Sequence, residues 1–334
     1  QAAGYQTAAI SENLIVSDVF QLLQGFEHRR TRRWRRTGVL EGKNYKMELY
    51  HIDALHEVRD WLENERDSDR PFLLFVNLFD PHLPYMVRDE NPFVPTGTPE
   101  SEIKSRSDHP HRLICGALPT PQQLAVLRGL YLGDVAAADV KLGEIVKLVR
   151  ERGGASKLIT MVTSDHGEFL GERKLLAHEF SLQAAVLHIP LIIHGLDGVK
   201  PVVIQRPVSQ VDIMPSILRW TGIEAPPELP GQLLPQLPDA TQSGERDLLA
   251  AYSDDYIPMP EEWEEGLGHE SKDKIRQFCG PSDQVFGGMA TLTRYPFKFH
   301  WFERYPPQLY DLSWDPHELS DQSKYRPDLV ERFR

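Results

Sequence analysis

The sequence predicts an α/β fold: a mostly parallel sheet sandwiched by helices, followed by a small C-terminal α+β subdomain. Four observations carry this prediction. Short apolar runs at 71–79 (PFLLFVNLF), 158–162 (LITMV) and 189–193 (IPLII) each end abruptly in polar residues or glycine, as strands buried on both faces do. Leu127, Tyr131, Val135, Ala138, Leu142, Ile145 and Val149 recur at spacings of 3 and 4 and predict one long helix over 121–152. Gly153-Gly154 caps that helix and leads straight into the 158–162 strand, half of a βαβ unit and hence of a parallel sheet. Finally, the texture changes after five prolines between 226 and 238, where 294–301 (RYPFKFHW) and 308–311 read as short antiparallel strands.

Composition bounds the rest. A chain of 334 residues suits one large domain with a small companion, and we divide it into 1–243 and 244–334. Forty per cent hydrophobic residues, with six Trp, eleven Tyr and fourteen Phe, suffice for a real core. The net charge of −12 argues against a nucleic-acid partner. Two cysteines, Cys115 and Cys279, cannot make a disulfide framework or a zinc knuckle. No apolar run approaches the length of a membrane span, and no signal peptide is visible.

The elements follow in order. Residues 4–16 read as a turn glycine and a short buried strand ending near Asn13. The basic run Arg29-Arg30-Thr31-Arg32-Arg33-Trp34-Arg35-Arg36 reads as a solvated surface loop, with an anionic-polymer contact as the alternative. Leu55, Val58 and Leu62 give an amphipathic helix within 50–65, and the 71–79 strand follows a polar turn. Residues 91–121, rich in Pro, Ser, Thr and His, read as a long surface loop of the kind that shapes pockets. Beyond the 121–152 helix and the next two strands, 208–221 reads as a helix with Asp212 near its start. Residues 226–238 read as a linker or extended crossing segment, and 315–334 as polar and partly helical.

Two strand ends carry ligand-type residues. The 158–162 strand runs into Thr163-Ser164-Asp165-His166-Gly167-Glu168, a carboxylate and an imidazole at the carboxyl edge of a sheet, where α/β folds bind ligands. Asp165 offers oxygen to a divalent cation and His166 offers nitrogen or a proton, while Gly167 lets the backbone turn away. A polar strand end with a helix cap is the competing account. The 71–79 strand runs into Asp80-Pro81-His82-Leu83-Pro84-Tyr85, whose prolines would hold His82 rigidly; a merely hydrogen-bonded His82 is the alternative.

Taken together, these blocks resemble the sulfatase family of the alkaline phosphatase superfamily. Gly4-Tyr5-Gln6-Thr7 with Gly25-Phe26 resembles its GY-x-T…GF segment, and 71–85 its PFFLFVNYxDPHxPY stretch. Tyr131 and Asp139 lie where its pre-metal helix has Y…D, and 163–168 matches TSDHGE. Residues 189–193 match VPLIV, 208–215 match VSxVDIxPT, and 308–318 resemble ELYDLxxDPxE. The resemblance implies an alkaline-phosphatase-like fold and metal-dependent cleavage of a sulfate ester on a small molecule or glycan. It also implies Asp165 and His166 as ligands of a divalent ion, usually Ca2+, with Mn2+ or Zn2+ as other options. His82 would contact the sulfuryl group or leaving oxygen, and His178 falls where the family has a Lys-His pair that stabilises the leaving group. Ala177 stands in the place of that lysine, and Lys174 is the candidate substitute. We expect these distant imidazoles and Asp165 to meet at one rim of the sheet.

The family's Cys-x-Pro-x-Arg nucleophile motif and two further metal aspartates lie upstream of its GY segment. Cys279-Gly280-Pro281-Ser282-Asp283 mimics that motif with Asp283 in place of arginine, and reads as a loop. The expectation is therefore an N-terminally incomplete catalytic domain that lacks its nucleophile. The alternatives are a phosphoesterase or phospho-group transferase of the same superfamily, acting on a phosphorylated compound, and a noncatalytic anionic-polymer binder using Arg29 to Arg36.

Overall fold

The structure is a computed structural model; it describes residues 2–18, 20–37, 46–108, 119–154, 157–178, 181–235, 246–252 and 287–333. The chain divides into two compact units, Gln1–His109 with Pro121–Thr160, and Pro110–Thr120 with Met161–Arg334.

In the first unit, β1 (Gln6–Ser11) is buried along its whole length. It lies at the centre of a parallel sheet between β2 (His28–Thr31) and β5 (Phe72–Asn77). An antiparallel pair, β3 (Arg33–Thr37) and β4 (Lys46–Tyr50), stands between β2 and β5 in the chain. The basic run is therefore strand rather than loop. Three residues here meet acids: Arg29 pairs with Asp18 at 3.0 Å, His28 with Glu65 at 2.6 Å, and Arg30 with Glu65 and Glu57. Helix α1 (Ala54–Asp60) starts where the Asp53 carboxylate accepts the amide N–H groups of Leu55 and His56, and it runs on into a π-turn, Trp61–Glu65. The 91–121 segment contains a helix, α2 (Glu100–Asp108), instead of being loop throughout. Acidic residues in the first turn and the Glu100–Lys104 pair at i,i+4 support it without an apolar stripe.

Helix α3 (Pro121–Arg152) has the predicted bounds, closed by the Gly153 N–H on the Val149 carbonyl and by Gly154 at φ +67°. Its buried face differs from the expected stripe in the middle. Val126, Leu127, Leu130 and Asp134 are buried, as are Ile145, Leu148 and Val149, whereas Val135 is exposed. The core gathers Ala8, Ile10, Ala54, Val58, Trp61, Leu62, Ile145, Leu148 and Val149. It uses one face of β5, through Phe72, Leu74 and Val76; Leu73 and Phe75, on the other face, are each 40% exposed, so this strand is not buried on both sides. Glu12, at the end of β1, accepts from the amides of Ala54 and Phe79 and from Lys141 Nζ, tying α1, β5 and α3 to one carboxylate.

In the second unit, β6 (Thr160–Thr163) neighbours β9 (Leu191–His194), and a short hairpin pairs β7 (Phe169–Leu170) with β8 (Leu176–Ala177). Ile192 is 60% exposed, so β9 too has an open face. Between them lies α4 (Ala184–Leu187). The predicted 208–221 helix is a 3-10 turn, Gln210–Asp212, continued by α5 (Ile213–Trp220). Asp212 is buried; its carboxylate accepts the Ser209 and Gln232 amides and both terminal nitrogens of Arg246, at 2.6 Å each. Burial opposes its ionisation, but these donors outweigh that and hold it below the usual carboxylate range. The proline-rich stretch crosses this helix extended, with the Leu234 amide on Ser216 Oγ. The C-terminal strands β10 (Leu248–Tyr252), β11 (Met289–Arg294), β12 (Phe297–Phe302) and β13 (Gln308–Asp311) form an antiparallel sheet in that order. Helix α6 (Pro327–Phe333) packs Leu329 and Val330 against Phe299 and Leu309. Cys115 and the 279–283 segment lie outside the described residues.

Candidate functional site

His82 sits in the first unit, in the loop that leaves β5. Its amide donates to the Phe79 carbonyl at 2.8 Å, and its ring stacks on Phe79 with centroids 4.7 Å apart. Nδ1 lies 2.6 Å from the Leu83 carbonyl. A carbonyl can only accept, so Nδ1 carries a proton and the chemistry of the ring falls to Nε2. Further along the loop, the Met86 amide and Arg88 both donate to the buried Asp134 on α3. Burial pushes the Asp134 carboxyl up, against the pull of Met86 and Arg88. Asp139, which the resemblance matches to the aspartate of the pre-metal helix, is exposed, whereas Asp134, five residues earlier, is buried.

The second unit carries Asp165, His166 and His178. The Ser164 hydroxyl donates to the His166 carbonyl and Gln210 Nε2 to the Ser164 carbonyl, bracing the turn after β6. Asp165 Oδ1 accepts the His166 amide at 3.0 Å. Asp165 Oδ2 stands 3.8 Å from His166 Nε2, while His166 Nδ1 donates to the Gly167 carbonyl at 2.8 Å. One carboxylate oxygen and one imidazole nitrogen, oriented from behind by backbone, are thus close enough for one cation at ordinary ligand distances of about 2.0–2.5 Å. Gly167 is required here by space: a Cβ would fall 2.1 Å from the Ala185 carbonyl oxygen, because α4 packs directly on this turn.

His178 stacks on His166 with ring centroids 4.1 Å apart and planes inclined by 27°. Its Nδ1 donates to Glu168 Oε1 at 3.2 Å, and the Glu168 side chain is almost wholly buried. This pairing was not anticipated from the sequence, although the β7–β8 register explains it. Phe169 pairs with Ala177, so the next pair outward is Glu168 with His178. Lys174 ends a 3-10 turn, Glu172–Lys174, and its side chain lies outside the described residues. Ala177, where the resemblance expects lysine, is buried in left-handed backbone at φ +63°.

The architecture, a parallel sheet with helices and a C-terminal antiparallel sheet, is the alkaline-phosphatase-like α/β fold, shared with solved esterase structures. The phosphonate monoester hydrolase of Agrobacterium radiobacter superposes with a TM-score of 0.65 at 20% identity, over 99% of this chain and 77% of that one. A structure solved with its substrate D-glucosamine-2-N,6-O-disulfate gives a TM-score of 0.62 at 18% identity, over 99% of this chain and 78% of that one. The Sulfatase family model matches residues 1–223, and the chain belongs to the sulfatase family. Arylsulfatase K of Bos taurus is 26% identical over 324 residues, which cover 87% of this chain and 55% of that protein. The chain spans about half or less of the length of the curated relatives it matches. The family depends on a divalent metal. Among the described residues, no helix is long and apolar enough to cross a membrane.

Proposed function

We propose that the protein carrying this chain is a sulfuric ester hydrolase acting on a sulfated small molecule or glycan. The observation that carries the reading is the Asp165–His166 pair, with a carboxylate oxygen and an imidazole nitrogen 3.8 Å apart and His178 stacked against it. Asp165 and His166 would hold the cation, which we take to be Ca2+. When bound, it offsets charge on the nonbridging oxygens of the ester. Glu168 fixes the orientation of the His178 ring through Nδ1, leaving Nε2 for proton transfer with the departing alkoxide. His82, with Nδ1 committed to Leu83, presents Nε2 to the sulfuryl group or the leaving oxygen. Lys174 remains the candidate replacement for the lysine that Ala177 displaces. Residues 1–243 form the catalytic domain in this reading, and 244–334 the C-terminal subdomain.

A phosphoesterase is the second reading, favoured by the absence of lysine beside His178. The anionic-polymer binder loses ground because Arg29 and Arg30 are already paired with acids. Calcium titration by calorimetry on the full-length protein and on Asp165→Ala tests the metal site. Equal affinity in the two would refute it. Turnover of aryl sulfate against aryl phosphate then chooses between the esterase readings.

A further inference from the structure

The segment that carries His178 is gripped at both ends by the C-terminal sheet. Upstream, Arg173 NH2 donates to Tyr310 Oη at 2.9 Å, and its guanidinium lies 5.1 Å over the Tyr310 ring. Arg173 holds left-handed backbone at φ +52° to make this reach. Downstream, the buried Lys298 Nζ donates to the Leu182 carbonyl at 3.0 Å. The two gripping residues are a direct cross-strand pair, since Lys298 of β12 is registered against Tyr310 of β13. Their own positions are fixed in turn. Tyr310 Oη donates to Gln308, and Lys298 Nζ donates to Glu318 Oε1 at 2.6 Å. His300 Nε2 stands 3.1 Å from Glu318 Oε2, pairing the groups without hydrogen-bond geometry. A lysine buried this deeply is expensive to desolvate, and here it is aimed at one backbone carbonyl four residues past His178.

We propose that the Lys298–Tyr310 pair is a positioning device for His178, so that the C-terminal sheet sets the aim of an active-site imidazole it does not itself contain. The clamp fixes where the β7–β8 hairpin ends, and Glu168 then fixes which way the His178 ring faces. This rests on the proposed role of His178, and the experiment separates the two. In the full-length protein, Tyr310→Phe deletes only the hydroxyl that Arg173 reaches, and Lys298→Met deletes the donor to Leu182. Each is expected to lower kcat about 10- to 100-fold, the scale of a small misplacement of a reacting group, with KM changed less than about threefold. Amide hydrogen exchange in peptides spanning 171–182 is expected to speed up about tenfold or more while α5 and α3 keep their protection. Lys298→Arg, which retains a donor, should recover most of the kcat. Unchanged exchange across 171–182 in Tyr310→Phe overturns the proposal, as does faster exchange with kcat intact. If Lys298→Met exchanges everywhere it has unfolded, and Tyr310→Phe then decides. His178→Ala, run in parallel, judges the site itself: full activity there sinks the assigned role while the exchange data still judge the clamp.

Discussion

His82 and His178 are held by opposite means. The supports described for His82 lie close to it in sequence: the Phe79 ring and carbonyl and the Leu83 carbonyl, on a backbone whose φ is set by prolines at 81 and 84. His178 depends on Glu168, ten residues back, and on Lys298 and Tyr310, more than a hundred residues on. The lesson concerns vulnerability. A locally held imidazole survives any distant change that leaves its loop folded, whereas one held by tertiary contacts inherits the stability of every element in the chain of support.

The largest effect should come from breaking that chain at its root. Glu318 is 1% exposed, and Glu318→Ala would strand Lys298 without its counter-charge, at a cost of about 3–5 kcal/mol in urea unfolding. Two buried carboxyls, one in each unit, should also respond oppositely to acid. Burial would raise Glu318, but His300 and Lys298 outweigh it and hold the carboxyl at about 2, so its contribution is intact above the unfolded value of 4.5 and is lost as pH falls towards 2. Burial lowers Lys298 and His300, which adds to the loss on acidification with the same sign. Asp134 is raised above 3.8, so in its folded state it holds a proton longer than the unfolded chain does. Its contribution is present below that value and lost as pH rises through the folded pKa. Unfolding of wild type and Asp134→Asn between pH 3 and 6 checks the sign: the mutant should lose the term that favours acid.

Next in size is Glu168→Gln, which keeps the shape but removes the charge facing His178 Nδ1. A hydrogen bond to a charged group contributes about 1.5–3 kcal/mol, so kcat should drop about 10- to 100-fold with the fold intact. The matching change around His82, Phe79→Leu, removes a stacked ring while leaving the backbone hydrogen bonds. It should cost about 1 kcal/mol or less, a loss of about fivefold in kcat. Equal losses from the two would erase the distinction between local and tertiary support.

That distinction also governs what the sequence disclosed. The bounds of α3 were legible because a 3–4 stripe ends at a Gly-Gly cap, and His82 was legible because its supports are its neighbours. Helix α2 was not, since Glu100–Asp108 has only one large apolar residue and therefore no period to read. Arginines hid β2 and β3; in β2, Arg29 and Arg30 are matched by acids from elsewhere in the chain. Asp165, His166 and His178 stood out as residue types, but Glu168 became a partner only through the register of two-residue strands too short to show alternation. Nothing in the sequence marked Lys298 and Glu318 as a buried pair, because their burial is decided wholly by tertiary packing.

The smallest effect is the most discriminating. Ala177 adopts left-handed backbone immediately before His178, a conformation that costs an alanine about 1–2 kcal/mol and a glycine almost nothing. Ala177→Gly should therefore cost little in unfolding, because the relief of strain offsets the added freedom of the unfolded chain, about 0.4–1 kcal/mol, and the loss of a buried methyl. Both alanines lose a buried methyl, but Ala9, in ordinary extended backbone at the centre of β1, has no strain to relieve, so Ala9→Gly should cost about 1 kcal/mol more. If Ala177→Gly is as damaging as Ala9→Gly, the left-handed turn is not imposed on Ala177, and the tertiary grip on the His178 segment is weaker than its contacts indicate.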